Sequence, residues 1–334
     1  MGEQDERPLV DGAGEPTRPE ADKQAPATEG FRSGFIAVVG RPNVGKSTLM
    51  NALVGASVAT TSNKPQTTRR AIRGIVTNDN AQIVLVDTPG VHRPRSLLGE
   101  RLNEVVYRTW AQVDAVAVCM PADEDFGKGD AFIIEKLRDA TCPLIAVVTK
   151  ADAVSPQELT SKLVEVSMLE ATQGITWAHI VPVSAMTGKQ VDTVIDVFAS
   201  VLPIGELMYP DGQVSDDDVE QAIADIVRQA ALEELSDELP HSLACMVDEI
   251  VPRDEEQPDG ALEVRVNLYV ERDSQKGIII GKGGQMLKHI GATARPAVAD
   301  LLGRKVHLAL YVKVAKQWQS DPSQLRKLGF DHGH

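Results

Sequence analysis

Gly40-Arg41-Pro42-Asn43-Val44-Gly45-Lys46-Ser47 matches G-x-x-x-x-G-K-S at every fixed position, and its reading decides the fold. The preceding run, Phe35-Ile36-Ala37-Val38-Val39, is short, apolar and partly β-branched, which predicts a buried strand feeding the loop. The residues after the loop suit a helix. In that setting the glycines let backbone N–H groups close around phosphates, and the helix N-terminus adds favourable dipole charge. The pattern predicts a nucleoside triphosphate site built from Gly40, Asn43, Val44, Gly45, Lys46, Ser47 and Thr48. Lys46 is placed to reach the β and γ oxygens, and Ser47 to put its hydroxyl on a bridging magnesium ion.

Further segments end where such a site needs them. Val84-Leu85-Val86 is a second buried-strand pattern running into Asp87-Thr88-Pro89-Gly90. It sets the Asp87 carboxylate at a strand's end to hold magnesium through water, with Gly90 following where the γ-phosphate is sensed. Leu144-Ile145-Ala146-Val147-Val148 leads into Thr149-Lys150-Ala151-Asp152, and Ile180-Val181-Pro182-Val183 leads into Ser184-Ala185. Strand ends converging on one crevice are the general rule for ligand sites in open α/β sheets. The Asp152 carboxylate can accept from both N1–H and the exocyclic amine of guanine, which adenine does not offer, so the base is expected to be guanine. The Lys150 stem lies over the purine plane in this reading, and the Ala185 N–H meets O6.

These segments resemble the phosphate-binding, switch and base-recognition motifs of the translation-factor-like GTPases. Thr149 stands where the usual N-K-x-D motif has Asn, which bears on the side-chain tether between base loop and phosphate loop but leaves the guanine contacts in place. Modestly weaker nucleotide binding is expected. Asn63-Lys64-Pro65-Gln66-Thr67-Thr68-Arg69 resembles the first switch of the Era family, and the resemblance assigns Thr68 to magnesium beside Ser47 and Asp87. Lys46, Thr68 and Gly90 are the residues assigned to the catalytic step. Val91 follows Gly90 and cannot orient water as a Ras-type glutamine does, so unaided hydrolysis is expected near the Ras-like order of 10⁻⁴ to 10⁻³ s⁻¹. By resemblance, Asn43 can hold a potassium ion against the phosphates.

A second constellation lies downstream in Lys276-Gly277-Ile278-Ile279-Ile280-Gly281-Lys282-Gly283-Gly284-Gln285-Met286-Leu287, an apolar segment joined through G-x-x-G to another helix. Gly281, Gly283 and Gly284 allow a nucleic-acid backbone to approach closely, and Lys282 and Lys288 supply charge, as in KH modules. Residues 262–270 and 306–314 alternate apolar and polar, predicting two half-buried strands, with Ala244-Cys245-Met246-Val247 as a third.

A GTPase followed by a KH-like module resembles the bacterial Era family over roughly Phe35 to Phe330. The implied fold is α/β: a P-loop GTPase domain with a mainly parallel sheet flanked by helices, then a smaller α+β type II KH-like domain. The resemblance implies a ribosome-assembly factor that takes GTP/GDP and Mg2+, binds small-subunit ribosomal RNA and the 30S subunit, and touches the inner membrane face peripherally; no DNA is expected. Two rival classes stay open: an RNA-binding scaffold with an inert nucleotide pocket, and a GTPase whose tail binds protein.

Charge bears on the RNA reading. The 334-residue chain carries a net charge of −14, yet from Arg272 to Phe330 there are 11 Lys and Arg against 3 Asp and Glu. A local basic face attracts phosphate within a Debye length of about 8 Å whatever the total charge. The acidic, Pro- and Gly-rich residues 1–32 read as a flexible tail, 33–203 as the GTPase domain, 204–215 as a linker that permits movement, and 216–334 as the KH-like domain. A helix is expected from about Asp216 to Glu234. No secretory h-region and no run of about 18 apolar residues occurs, so a cytoplasmic location is expected. Cys119, Cys142 and Cys245 lack metal spacing and read as buried free thiols, and His92 as an exposed loop residue.

Overall fold

The computed structural model describes residues 30–56, 58–59, 72–89, 97–216, 218–235, 242–254 and 260–328. Its first sheet comprises β1 (Arg32–Val39), β2 (Ile72–Thr77), β3 (Ala81–Asp87), β4 (Ala115–Pro121), β5 (Leu144–Thr149) and β6 (Trp177–Pro182), ordered β2-β3-β1-β4-β5-β6. β2 pairs antiparallel with β3, and every other pairing is parallel. Parallel strands are buried on both faces, which is why these segments read as unbroken apolar runs. Ile36 and Val38 face one core, with Leu49 and Met50 of α1 (Lys46–Val54) and Val194 and Phe198 of α5 (Val191–Val201). Ala37 and Val39 face the other, with Ile133 and Ile134 of α3 (Lys128–Leu137) and Val166 and Leu169 of α4 (Pro156–Gln173). α2 (Leu97–Trp110) adds Val106 to that second core.

A second sheet, β7 (Ala244–Pro252), β8 (Leu262–Val270) and β9 (Val306–Val314), pairs β7 with β8 antiparallel and β8 with β9 parallel. Three helices, α6 (Val219–Glu234), α7 (Asp273–Ile280) and α8 (Gln285–Leu302), cover one face. A parallel pair needs a long crossover, and α7 and α8 supply it. Val264, Val266, Leu268 and Val270 alternate onto the helical side, as their period-two spacing predicts. β7 continues past the expected Val247, with a register shift between Val247 and Glu249, and α6 starts at Val219, three residues later than expected.

Among the described residues, two features tie the two parts of the chain together. Leu98 and Leu102 of α2 pack with Ala244, Tyr269, Trp318, Leu325 and Leu328, the last two from the segment around α9 (Pro322–Lys327). Trp318 is fully buried and donates its indole N–H to the Ser242 carbonyl at 2.9 Å.

The second contact is the segment read as a mobile linker, and it is pinned along its length. The buried Gln82 side chain accepts from the Met208 and Tyr209 N–H groups at 2.7 and 2.9 Å and donates to the Tyr209 carbonyl at 2.9 Å. The Ile75 N–H donates to Val214 at 2.9 Å, so residues 214–215 run beside β2 as an added edge. Arg73 pairs with Asp216 at 2.8 Å, and Asp216 also accepts from the Tyr209 hydroxyl at 2.8 Å. The segment expected to permit movement is held here as a hydrogen-bonded strap, because its polar groups find partners on β2 and β3.

Removing a fully buried tryptophan leaves a cavity and an unpaired carbonyl. Trp318→Ala should cost about 3–5 kcal/mol in urea unfolding, whereas an exposed Trp318 would show almost no change.

Candidate functional site: a phosphate and base crevice and a basic groove

The parallel register brings the strand ends together: Val38 lies beside Asp87, and Pro121 beside Thr149. The sheet order reverses around β1, so the loop after β1 sits at the point where open α/β sheets hold ligands. Gly40 has no room for a side chain: an added Cβ would lie 2.7 Å from the Cys119 carbonyl oxygen. Gly45 has φ 94°, and Asn43 adopts φ 65°, so the loop turns back on itself directly before α1.

That turn encloses Lys46. Its ammonium, buried, donates to the carbonyls of Gly40 at 3.2 Å and Arg41 at 2.9 Å. Burial lowers its pKa, and the nearby Asp87 carboxylate opposes the shift. Ser47 donates its hydroxyl to Asp87 Oδ2 at 2.8 Å, and Asp87 has no solvent exposure. A hydroxyl and a carboxylate set together at the first turn of a helix are hard oxygen donors, the set a magnesium ion takes. Thr48 is half-buried on the same turn. Cys119, beneath the loop, has its thiol pushed up to about 12 by burial, so it stays a thiol. Cys245 is also buried, but Cys142 is half-exposed, which corrects the expectation for that residue.

The base loop is joined to the phosphate loop directly. The Thr149 hydroxyl, 4% exposed, donates to the Val44 carbonyl at 2.6 Å. The tether that an Asn would supply is therefore present, carried by the one hydroxyl proton Thr149 has. Lys150 follows in the left-handed region, φ 54°, and Asp152 sits exposed on a short 3-10 turn, Ala151–Ala153. The Ala151 N–H donates to the Val183 carbonyl at 3.2 Å, joining this turn to the loop holding Ser184 and Ala185. Ser184, buried, accepts from the Thr187 N–H at 3.1 Å. Thr68, Gly90 and His92 lie outside the described residues.

The second candidate site is a groove of about 500 Å3 between α8 and the edge strand β9. Gly284, Leu287, Lys288, Gly291 and Arg295 line one wall and His307, Leu308 and Leu310 the other. Gly281 has φ 69°, and an added Cβ would lie 2.6 Å from the Met286 Cβ, so only glycine closes this turn. Lys282 and Gly283 complete it, Gly283 at φ 62°. Of the predicted residues, Gly284 and Lys288 line the groove itself; Gly291, Arg295 and His307 were missed. Their signal was available: Lys288, Gly291 and Arg295 recur at helical spacing.

Comparisons with known proteins then decide the family. A model described as "50S ribosome-binding GTPase" matches residues 35–150, and a KH-domain model matches residues 238–319. GTPase Era of Mycobacterium avium is 57% identical over 303 residues, covering 90% of this chain and 99% of that protein. The chain belongs to the Era family of GTPases. GTPase Era of Mycobacterium tuberculosis H37Rv is 56% identical over the same span. A crystal structure of Era in complex with MgGDPNP and nucleotides 1506–1542 of 16S ribosomal RNA superposes with TM-score 0.84 at 33% identity, covering 90% of this chain and 100% of that one. Aquifex aeolicus Era bound to GDP.AlF4− matches with the same TM-score, identity and coverage.

Thr149→Val deletes the donor to the buried Val44 carbonyl at nearly constant shape. It should cost about 1–3 kcal/mol in chemical denaturation and speed GDP release, while Thr149→Ser stays near wild type. Equal stability of the Val and Ser variants would exclude the tether.

Proposed function

We propose that this chain binds GTP and GDP with magnesium, hydrolyses GTP as a switch, and binds small-subunit ribosomal RNA in assisting assembly of the 30S subunit. The carrying observation is that one chain holds both a Lys46–Ser47–Asp87 phosphate site and a glycine-turned basic groove. The inert-pocket and protein-binding-tail readings share this geometry and are separated from it by phosphate release and by RNA retention.

In this reading the carbonyl-held Lys46 ammonium turns to the β and γ oxygens, and backbone N–H groups of Asn43 to Thr48 take up the remaining phosphate charge. Ser47 and Asp87, with Thr68, hold magnesium, which when bound offsets charge on the phosphate oxygens. Asp152 reads guanine, Lys150 covers its plane, and Ser184 and Ala185 close the far side. Gly90 senses the γ-phosphate. Val91, after Gly90, cannot orient an attacking water as a glutamine would, and by resemblance Asn43 would hold a potassium ion that supplies activating charge. Gly281, Lys282, Gly283, Gly284 and Lys288 clamp the RNA backbone in the groove. We place the protein in the cytoplasm, with peripheral contact at the inner membrane face; no described helix is long and apolar enough to cross a membrane.

Coupling between the sites has two supports. β2, tied to Val214–Asp216, begins directly after the first switch, and α2, packed on Trp318, directly after the second. Nucleotide-dependent order in either switch is thus passed to the KH-like part through packed elements.

Calorimetry with magnesium should show GTP and GDP binding; no uptake of either would remove the switch. Turnover should be several-fold faster in potassium than in sodium buffer, and equal rates would exclude the Asn43 ion. Lys282→Glu should weaken RNA retention across sequences and flatten its salt dependence; unchanged retention would favour a protein-binding groove.

A further inference from the structure

We propose that Glu124, in the loop between β4 and α3, is a positioning residue for the guanine nucleotide, joining Arg41 of the phosphate loop to Lys150 of the base loop. The inference rests on the nucleotide reading above. No motif predicts Glu124, which stands in a stretch, Asp123-Glu124-Asp125, that reads as a solvated acidic turn.

Its two carboxylate oxygens point to two different loops. Oε2 lies 3.0 Å from Arg41 Nη2, and Oε1 lies 3.4 Å from Lys150 Nζ, where Asp123 adds a second carboxylate at 3.3 Å. Each partner is itself held. Arg41 Nε donates to Asp130 at 2.8 Å; Asp130 is 4% exposed, and its other oxygen accepts from the Gly127 N–H at 2.9 Å. Gly129 makes room for this, since an added Cβ would lie 2.6 Å from Arg41 Cδ. Lys150 leaves the base loop from the left-handed region, φ 54°.

The acidic loop is solvent-exposed but anchored. The Ala122 N–H donates to the Thr149 carbonyl at 2.8 Å, the Phe126 N–H donates to Glu165 at 3.2 Å, and Lys162 donates to the Glu124 carbonyl at 2.6 Å. A carboxylate on so constrained a loop loses little entropy on pairing, which separates it from an ordinary surface ion pair. Thr149 ties the two nucleotide-holding loops by one neutral hydrogen bond, and the Arg41–Glu124–Lys150 bridge is a second, ionic tie between the same loops. It bears on where the Lys150 stem lies over the purine and does not touch the γ-phosphate.

The test uses the full chain and a fluorescent GDP. Glu124→Gln should raise the GDP Kd about threefold and Asp123→Asn/Glu124→Gln about tenfold, through faster release, with the difference from wild type shrinking in 1 M salt. KM for GTP should rise with them while kcat at saturation falls less than twofold, and the melting temperature should stay within about 2 °C of wild type. Preference for GTP over ATP should persist, because Asp152 is untouched. An unchanged GDP Kd in the double variant, or a kcat and melting temperature that fall together, would overturn the proposal. Failure of the wild type to bind GDP would instead remove the nucleotide reading on which it rests.

Discussion

The register of four parallel strands is the constraint on which everything else depends. β3, β1, β4 and β5 end in one row, so Asp87, the phosphate loop, the Glu124 loop and the base loop emerge side by side. Because both faces of these strands are buried, a slip of one residue would turn Val38 and Ile36 from one core into the other and is strongly disfavoured. The chemistry inherits that rigidity. Ser47 meets Asp87 across 40 residues of sequence, and Thr149 meets Val44 across 105, only because the sheet fixes both ends.

Burial makes the phosphate site polar in a controlled way. An ammonium and a carboxylate in a dry interior cost several kcal/mol each unless every polar atom is engaged. Lys46 meets this with two backbone carbonyls and the nearby Asp87 charge.

What was legible in the sequence was what is local. The phosphate loop, Asp87, the base-loop tetrapeptide and the G-x-x-G turn are contiguous patterns whose glycines and charges act on neighbouring atoms. The period-two and unbroken apolar runs located both sheets for the same reason. Groups whose partners lie far along the chain were illegible. Gln82 reads as one more polar residue in a strand, yet it holds the backbone of residues 208 and 209. The strap at 204–216 reads as a polar linker because composition reports nothing about Arg73 or Gln82. Thr149 shows the same limit: its hydroxyl reaches the Val44 carbonyl at 2.6 Å, a partner 105 residues away that the tetrapeptide alone does not display.

The same distinction bears on how a net charge of −14 coexists with a basic groove. Electrostatic attraction at a surface is decided within roughly one Debye length, and Lys288, Arg295 and His307 share one groove while much of the acidic excess lies elsewhere. Acidic groups near the phosphate loop are largely paired. Asp130 and Glu124 meet Arg41, Glu124 and Asp123 meet Lys150, and Glu165 meets Lys162. Arg41 and Lys150 offset two of the three charges on Asp130, Glu124 and Asp123, which weakens the repulsion a phosphate would meet without abolishing it. An acidic total charge is therefore compatible with a locally basic groove, provided the negative groups lie away from it or are paired.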